Sequence, residues 1–128
     1  MRDNLKYSSY KKLVVYQKAK ELVISIYRTT KSYPKTETYT LVPQMRRAAI
    51  SILANIVEGY AKESSAEYAR FLTISIGSLT ELEVYLDISL DLGFIREVDF
   101  KKLENLIQQT KRLLYGSRKA VRARITKN

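Results

Sequence analysis

This 128-residue chain predicts an all-α fold, an antiparallel up-down-up-down four-helix bundle. Three observations lead there. Apolar residues recur every three and four positions in four successive segments. The links between those segments are short, which makes sequence neighbours antiparallel neighbours in space. A composition of 45% hydrophobic and 28% charged residues suits one domain with a single core.

The first helix is expected from about Tyr10 to Lys31, with Leu13, Tyr16, Ala19, Leu22, Val23, Ile26 and Tyr27 on its inner side and Tyr33-Pro34 ending it. After a polar connector, Thr36 to Thr40, the second helix takes Pro43 in its first turn, where a missing N–H does no harm. It runs to about Ala61. Ser64-Ser65 supplies the N-cap of the third helix, Glu67 favours its first turn, and Gly93 stops it after Leu92. The fourth begins after Arg96, capped by Asp99, and carries Leu103, Leu106, Ile107, Thr110, Leu113 and Leu114. Gly116 is expected to end or weaken it, so residues 1–116 read as the bundle domain and 117–128 as a basic C-terminal tail.

Zero cysteines and zero histidines remove the usual zinc and iron ligand sets, thiol chemistry and imidazole acid-base catalysis. No GxGxxG or GxxxxGK pattern cradles a phosphate, and no cofactor is called for. No stretch is long and apolar enough for a membrane span, and the opening MRDNLKYSSYKKL lacks a signal-peptide core, so a cytoplasmic location is expected. The net charge of +10 is uneven: residues 110–128 hold seven basic residues and no acid. Such a block attracts phosphates or anionic surfaces, with an affinity that falls with salt. Its plainer reading is a solvated terminus.

At about 100° per residue, Gln44, Arg47, Ser51, Asn55, Glu58 and Lys62 share one stripe of the second helix. The opposite apolar arc is wider than one core needs, which suggests a second buried surface such as a subunit interface. Arg46 projects into that arc. Glu81 of the third helix lies off the seam of Leu72, Ile76, Leu79, Leu86 and Leu90, beside Ile74, Ser78, Tyr85 and Ile88. Arg46 or Arg47 is therefore expected to pair with Glu81, the alternative being side chains that snorkel to water. Gly77, costly inside a helix, is expected to admit a close helix neighbour. Glu83, Asp87 and Asp91 form a further acidic row, which reads as a solvated face or as complementary to a basic surface rather than as a catalytic carboxylate set. Asn55 and Glu58 are expected to satisfy helix-end or inter-subunit hydrogen bonds near Gly59.

The blocks YKKLVVYQKAKEL (10–22), YPKTETYTLVPQMRRAAISILANIVEGYAKES (33–64) and YARFLTISIGSLTELEVYLDISLDLGFI (68–95) resemble the bacterial 23S ribosomal RNA intervening-sequence proteins, the S23 family, over about residues 10–115. The resemblance implies a non-enzymatic bundle that assembles into a homopentameric ring. It extends to a branch serving as accessory variability determinants of diversity-generating retroelements, which bind reverse transcriptase and nucleic acid. The family signature transfers to Gln44, Arg46, Arg47, Ser51, Asn55, Glu58, Gly59, Gly77, Ser78 and Glu81. Leu53 replaces a frequent proline, so a kink there should be weaker or absent, and Tyr16 replaces a frequent tryptophan.

The leading functional expectation is a non-catalytic oligomer that binds structured RNA or DNA with little sequence specificity. Its contacts would be Lys111, Arg112, Arg118, Lys119, Arg122, Arg124 and Lys127, with Lys11 and Lys12 as a second patch. The rival is a scaffold for a reverse transcriptase or another ribonucleoprotein partner. A hydrolase built on Glu58 or the Glu83/Asp87 row ranks third, for want of a nucleophile or metal set.

Overall fold

The computed structural model describes residues 9–126, and these form four α-helices and no strand. A short 3-10 turn, Ser9–Lys12, leads into α1 (Val14–Thr30), and a second, Lys35–Glu37, lies in the link to α2 (Leu41–Tyr60). Then come α3 (Ser65–Asp91) and α4 (Glu97–Thr126). Each helix packs on two others, α1 on α2 and α4, α3 on α2 and α4, which closes the bundle around one core. One end joins the α1–α2 and α3–α4 links, where the Tyr33 and Phe94 rings lie 5.8 Å apart. The opposite end gathers the first turn of the chain and the α2–α3 link, with Ser9 Oγ donating to Tyr60 Oη at 3.4 Å.

The buried faces follow the apolar period. Val15, Ala19, Leu22 and Ile26 of α1 meet Met45, Ala49, Ile52 and Ile56 of α2, Leu72, Leu79, Leu82 and Leu86 of α3, and Leu103, Ile107 and Leu114 of α4 in one cluster. Two of the helix boundaries have clear local causes. Ser64 Oγ accepts from the Glu67 backbone N–H at 3.0 Å, satisfying one of the free donors of the first turn of α3. At the other end Gly93, with φ +75°, lets its N–H reach Leu90 O and that of Phe94 reach Ser89 O, a Schellman stop that an L side chain would strain.

Three expectations are corrected. The regular helix α1 begins only at Val14, because Leu13 stays extended and the residues before it wind into the 3-10 turn. Asp99 is not the cap of α4; the helix already starts at Glu97, and Asp99 in its first turn pairs with Arg96 Nε at 2.9 Å. Gly116 does not end α4, which continues ten residues to Thr126. The cause is Val121, buried to 3% exposure against the bundle, which outweighs the roughly 1 kcal/mol cost of one helical glycine. Residues 117–126 are a helix extension docked on the core rather than a tail. α2 also runs unbroken through Leu53.

Candidate functional site

The polar stripe of α2 is divided by its neighbour. Ser51 and Asn55 are half-buried against α3, while Gln44, Arg47, Glu58 and Lys62 stay exposed. Ser51 Oγ lies 2.8 Å from Ser78 Oγ, and Asn55 Nδ2 donates to Ser51 O at 2.8 Å and Ser51 Oγ at 3.1 Å. A second hydroxyl, fully buried Ser75, donates to the Ile52 carbonyl at 2.9 Å. Asn55 therefore braces Ser51 within α2, and through it the contact with Ser78 of α3, rather than a helix end. Glu58 is exposed, and its carboxylate makes no hydrogen bond or ion pair among the described residues.

The close-approach glycine is Gly59 rather than Gly77. A Cβ on Gly59 would stand 2.7 Å from Phe71 Cβ and 3.0 Å from Tyr68 Cδ1, whereas a Cβ on Gly77 would meet nothing within 4 Å. The outer face of α3 is open there. Along it Ile74 (40% exposed), Val84 (52%) and Ile88 (41%), with Leu92 (59%) just past the helix end, are aliphatic groups left in solvent.

Neither Arg46 nor Arg47 pairs with Glu81. Arg46 Nε donates to Thr30 Oγ1 at 3.0 Å, Nη2 to the Tyr27 carbonyl at 3.3 Å, and the guanidinium lies 4.5 Å over the Tyr27 ring. Helix geometry explains the choice: Tyr27 O is one of the last carbonyls of α1, at the negative end of that helix, where it accepts from the Thr30 hydroxyl at 3.3 Å and has room for Arg46 as well. Arg47 Nη1 reaches only Gln44 Oε1, at 3.4 Å. Glu81 instead accepts from Tyr85 Oη at 2.5 Å on the exposed face of α3. That bond holds the phenol above its ordinary pKa, with the Glu81 charge adding to the rise and nearby Arg47 opposing it. Thr30 and Tyr27 carried no periodic sign of this role; the single clue was an arginine misplaced in an apolar arc.

The expected nucleic-acid residues sort into two kinds. Lys111 is half-buried and bound to Glu83 Oε1 at 2.8 Å, and Arg118 donates to Thr73 Oγ1 at 3.2 Å while lying 4.9 Å over the Tyr115 ring. Both tie α4 to α3 or to itself. Arg112, Lys119, Arg122 and Arg124 are exposed and form no salt bridge among the described residues. At about 100° per residue, Lys111, Arg112, Arg118, Lys119 and Arg122 share one side of α4, with Tyr115 amid them and Arg124 on another side. Lys127 lies outside the described residues. Lys11 and Lys12 are exposed at the same end of the bundle as the last turns of α4.

The acidic row does not form a joint site. Glu83 is held by Lys111 and by Gln108 Nε2 at 3.3 Å, while Asp87 and Asp91 are exposed. Among the described residues no three carboxylates are grouped so as to hold a metal ion. No helix of the described residues is long and apolar enough to cross a membrane.

Two other basic pairs converge at the far end. Lys31 and Lys35 follow α1, Arg46 and Arg47 stand in the second turn of α2, and all four line one cleft of about 570 Å³ with Tyr27 and Thr38. Each pair is visible in the sequence, but only the α1–α2 turn joins them.

The molecule is thus a basic four-helix bundle whose inner polar groups serve helix contacts and whose unpaired cations gather on α4 and around the α1–α2 turn. The chain belongs to the 23S rRNA-intervening sequence protein family, whose profile matches residues 11–116. Its fold is similar to the crystal structure of a protein of unknown function from the S23 ribosomal protein family of Bacteroides thetaiotaomicron. The TM-score is 0.76 at 23% identity, covering 83% of this chain and 96% of that one. No curated protein matches the chain.

Proposed function

We propose that this protein is a non-catalytic, oligomeric binder of structured RNA, acting in the cytoplasm with little sequence specificity through the basic side of α4. The observation that carries this reading is the exposed, unpaired set Arg112, Lys119 and Arg122 on one side of a rigid helix. Phosphates are recognised by such charges without regard to base, and Tyr115, 46% exposed among them, offers a stacking surface. Lys11 and Lys12, exposed at the same end of the bundle, would form a second patch. The family name adds a connection with 23S rRNA. Assembly into a homopentameric ring would repeat the patch five times and raise avidity.

The test is anisotropy of a labelled RNA hairpin over a salt series, comparing the native chain with Arg112→Glu/Lys119→Glu/Arg122→Glu. The triple variant is expected to bind far more weakly and to lose about 2–3 from the slope of log K against log salt. Unchanged affinity and slope would remove α4 from the reading. Light scattering of the same samples gives the subunit number.

A second reading is supported by the bare aliphatic face of α3, with Ile74, Val84, Ile88 and Leu92 exposed beside the open Gly77. Such a face suits a protein partner, whether a neighbouring subunit or a reverse transcriptase. A partner that stays bound after nuclease treatment and is lost in Ile88→Asp would favour it.

A further inference from the structure

The cleft between the end of α1 and the start of α2 is the second basic feature of the molecule, and it stands at the opposite end from the free turns of α4. Four cationic side chains, Lys31, Lys35, Arg46 and Arg47, line it, and no carboxylate does. None of the four forms a salt bridge among the described residues, although the chain pairs other cations with Glu21, Glu83, Glu97 and Asp99. The cleft between α3 and α4 has the opposite character, with Glu83, Asp87 and Glu104 on its wall.

Four like charges around one concavity repel one another, and an anion seated among them would relieve that repulsion. Arg46 is already oriented for the purpose. Nε and Nη2 are engaged by Thr30 and Tyr27 and the plane rests on the Tyr27 ring, so the side chain has little rotamer freedom left to lose on binding. Its Nη1 makes no hydrogen bond among the described residues and keeps its N–H donors. The first turn of α2, to which Val42 and Pro43 of the wall belong, has no side-chain cap; the carboxylate nearest its N-terminus, Glu37, accepts from the Thr40 hydroxyl at 2.8 Å and does not line the cleft.

The size and charge of the cleft select among anions. A phosphodiester brings one negative charge and continues into a chain on both sides, whereas a monoester brings about −1.5 to −2 at pH 7 and has an end that can enter a concavity. Guanidinium pairs match its oxygens two at a time. We propose that this cleft is a phosphate-monoester site, taking the terminal phosphate of a mononucleotide or the 5′-phosphate of an RNA strand. The mononucleotide arm is independent of the RNA-binding reading, and the strand-end arm rests on it.

The probes are adenosine 5′-monophosphate and adenosine, titrated into the ¹⁵N-labelled full-length chain, and one RNA oligonucleotide made with either a 5′-phosphate or a 5′-hydroxyl. The variants are Lys35→Ala/Arg47→Ala, both exposed positions, and the α4 triple reversal as a control. The monophosphate is expected to shift the amides of residues 31–47 while adenosine does not. The cleft variant should weaken it by at least about tenfold, with the α4 variant unaffected. A 5′-phosphate preference that is lost in the cleft variant and kept in the α4 variant assigns the site to strand ends. Monophosphate binding without that preference assigns it to free nucleotides. Equal response to adenosine and its monophosphate, or monophosphate binding that survives in the cleft variant, overturns the proposal. RNA that binds in no form would remove the RNA reading and leave the monophosphate result to decide the cleft.

Discussion

Ser51 Oγ and Ser78 Oγ face each other at 2.8 Å across α2 and α3, and Asn55 Nδ2 braces the first of them at 3.1 Å. A polar seam of this kind fixes the register of two antiparallel helices, because either hydroxyl can be the donor but neither can slide by a turn and keep a partner. Ser78→Ala should lower stability by about 0.5–1.5 kcal/mol, read as a shift of the urea midpoint with the slope unchanged. An unaltered midpoint would show the seam to be energetically silent.

The two glycines of the family signature should respond in opposite directions. Gly59→Ala forces a Cβ to 2.7 Å from Phe71 Cβ, and is expected to destabilise by about 1–3 kcal/mol. Gly77→Ala meets open space inside a helix and should stabilise an isolated subunit by about 0.5–1 kcal/mol. If Gly77→Ala instead destabilises, and does so more at high protein concentration, its face is covered in the assembled state.

Arg46 is tied to α1, not to Glu81. In double-mutant cycles Arg46 and Thr30 should therefore couple by about 0.5–1.5 kcal/mol, and Arg46 with Glu81 by less than about 0.5. The reverse pattern in thermal or urea unfolding would contradict the α1 contact.

Alkaline pH should unfold the protein through its tyrosines. Burial pushes Tyr33 and Tyr68 above the ordinary value of 10.0, Tyr60 adding to the rise at Tyr68; the smaller opposing pulls come from Ser89 on Tyr33 and Arg124 on Tyr68. The Ser89 geometry falls short of a hydrogen bond, and the Tyr33 hydroxyl is buried without a partner among the described residues. Above pH 10 the unfolded chain gives up these protons before the native one does, so the native state binds more protons and stability falls as pH rises. Their contribution is complete below pH 10 and disappears as pH passes the raised folded values. Absorbance at about 295 nm should show late-titrating tyrosines that become two fewer in Tyr33→Phe/Tyr68→Phe.

Val121 anchors the end of α4 at 3% exposure. Val121→Ala should cost about 1–3 kcal/mol, whereas charge reversal at Lys119 or Arg122 should stay within about 0.5. Equal effects would mean that residues 117–126 are not docked.

Local information in the chain was enough for four helices, their inner faces, the Ser64 cap and the Gly93 stop, because each depends on residues within one or two turns. Period also placed Ser51 and Asn55 together on one stripe of the second helix, and set Ser78 and Glu81 off the core seam of the third. What period could not tell was which helix would cover each stripe. Arg46 looked available to Glu81 until the end of α1 presented the Tyr27 carbonyl and the Thr30 hydroxyl beside it. Gly77 looked like the close-contact glycine until Gly59 proved to lie under Phe71. The end of α4 read as a tail because its basic residues outnumber its one buried anchor, and a single valine gives no periodic signal. The basic cleft was equally hidden, since Lys31 and Arg46 belong to different helices and meet through the turn between them. Helix formation is decided by neighbours in sequence; the partner of a charge or a glycine is decided by packing, where contact distances and desolvation choose among groups far apart along the chain.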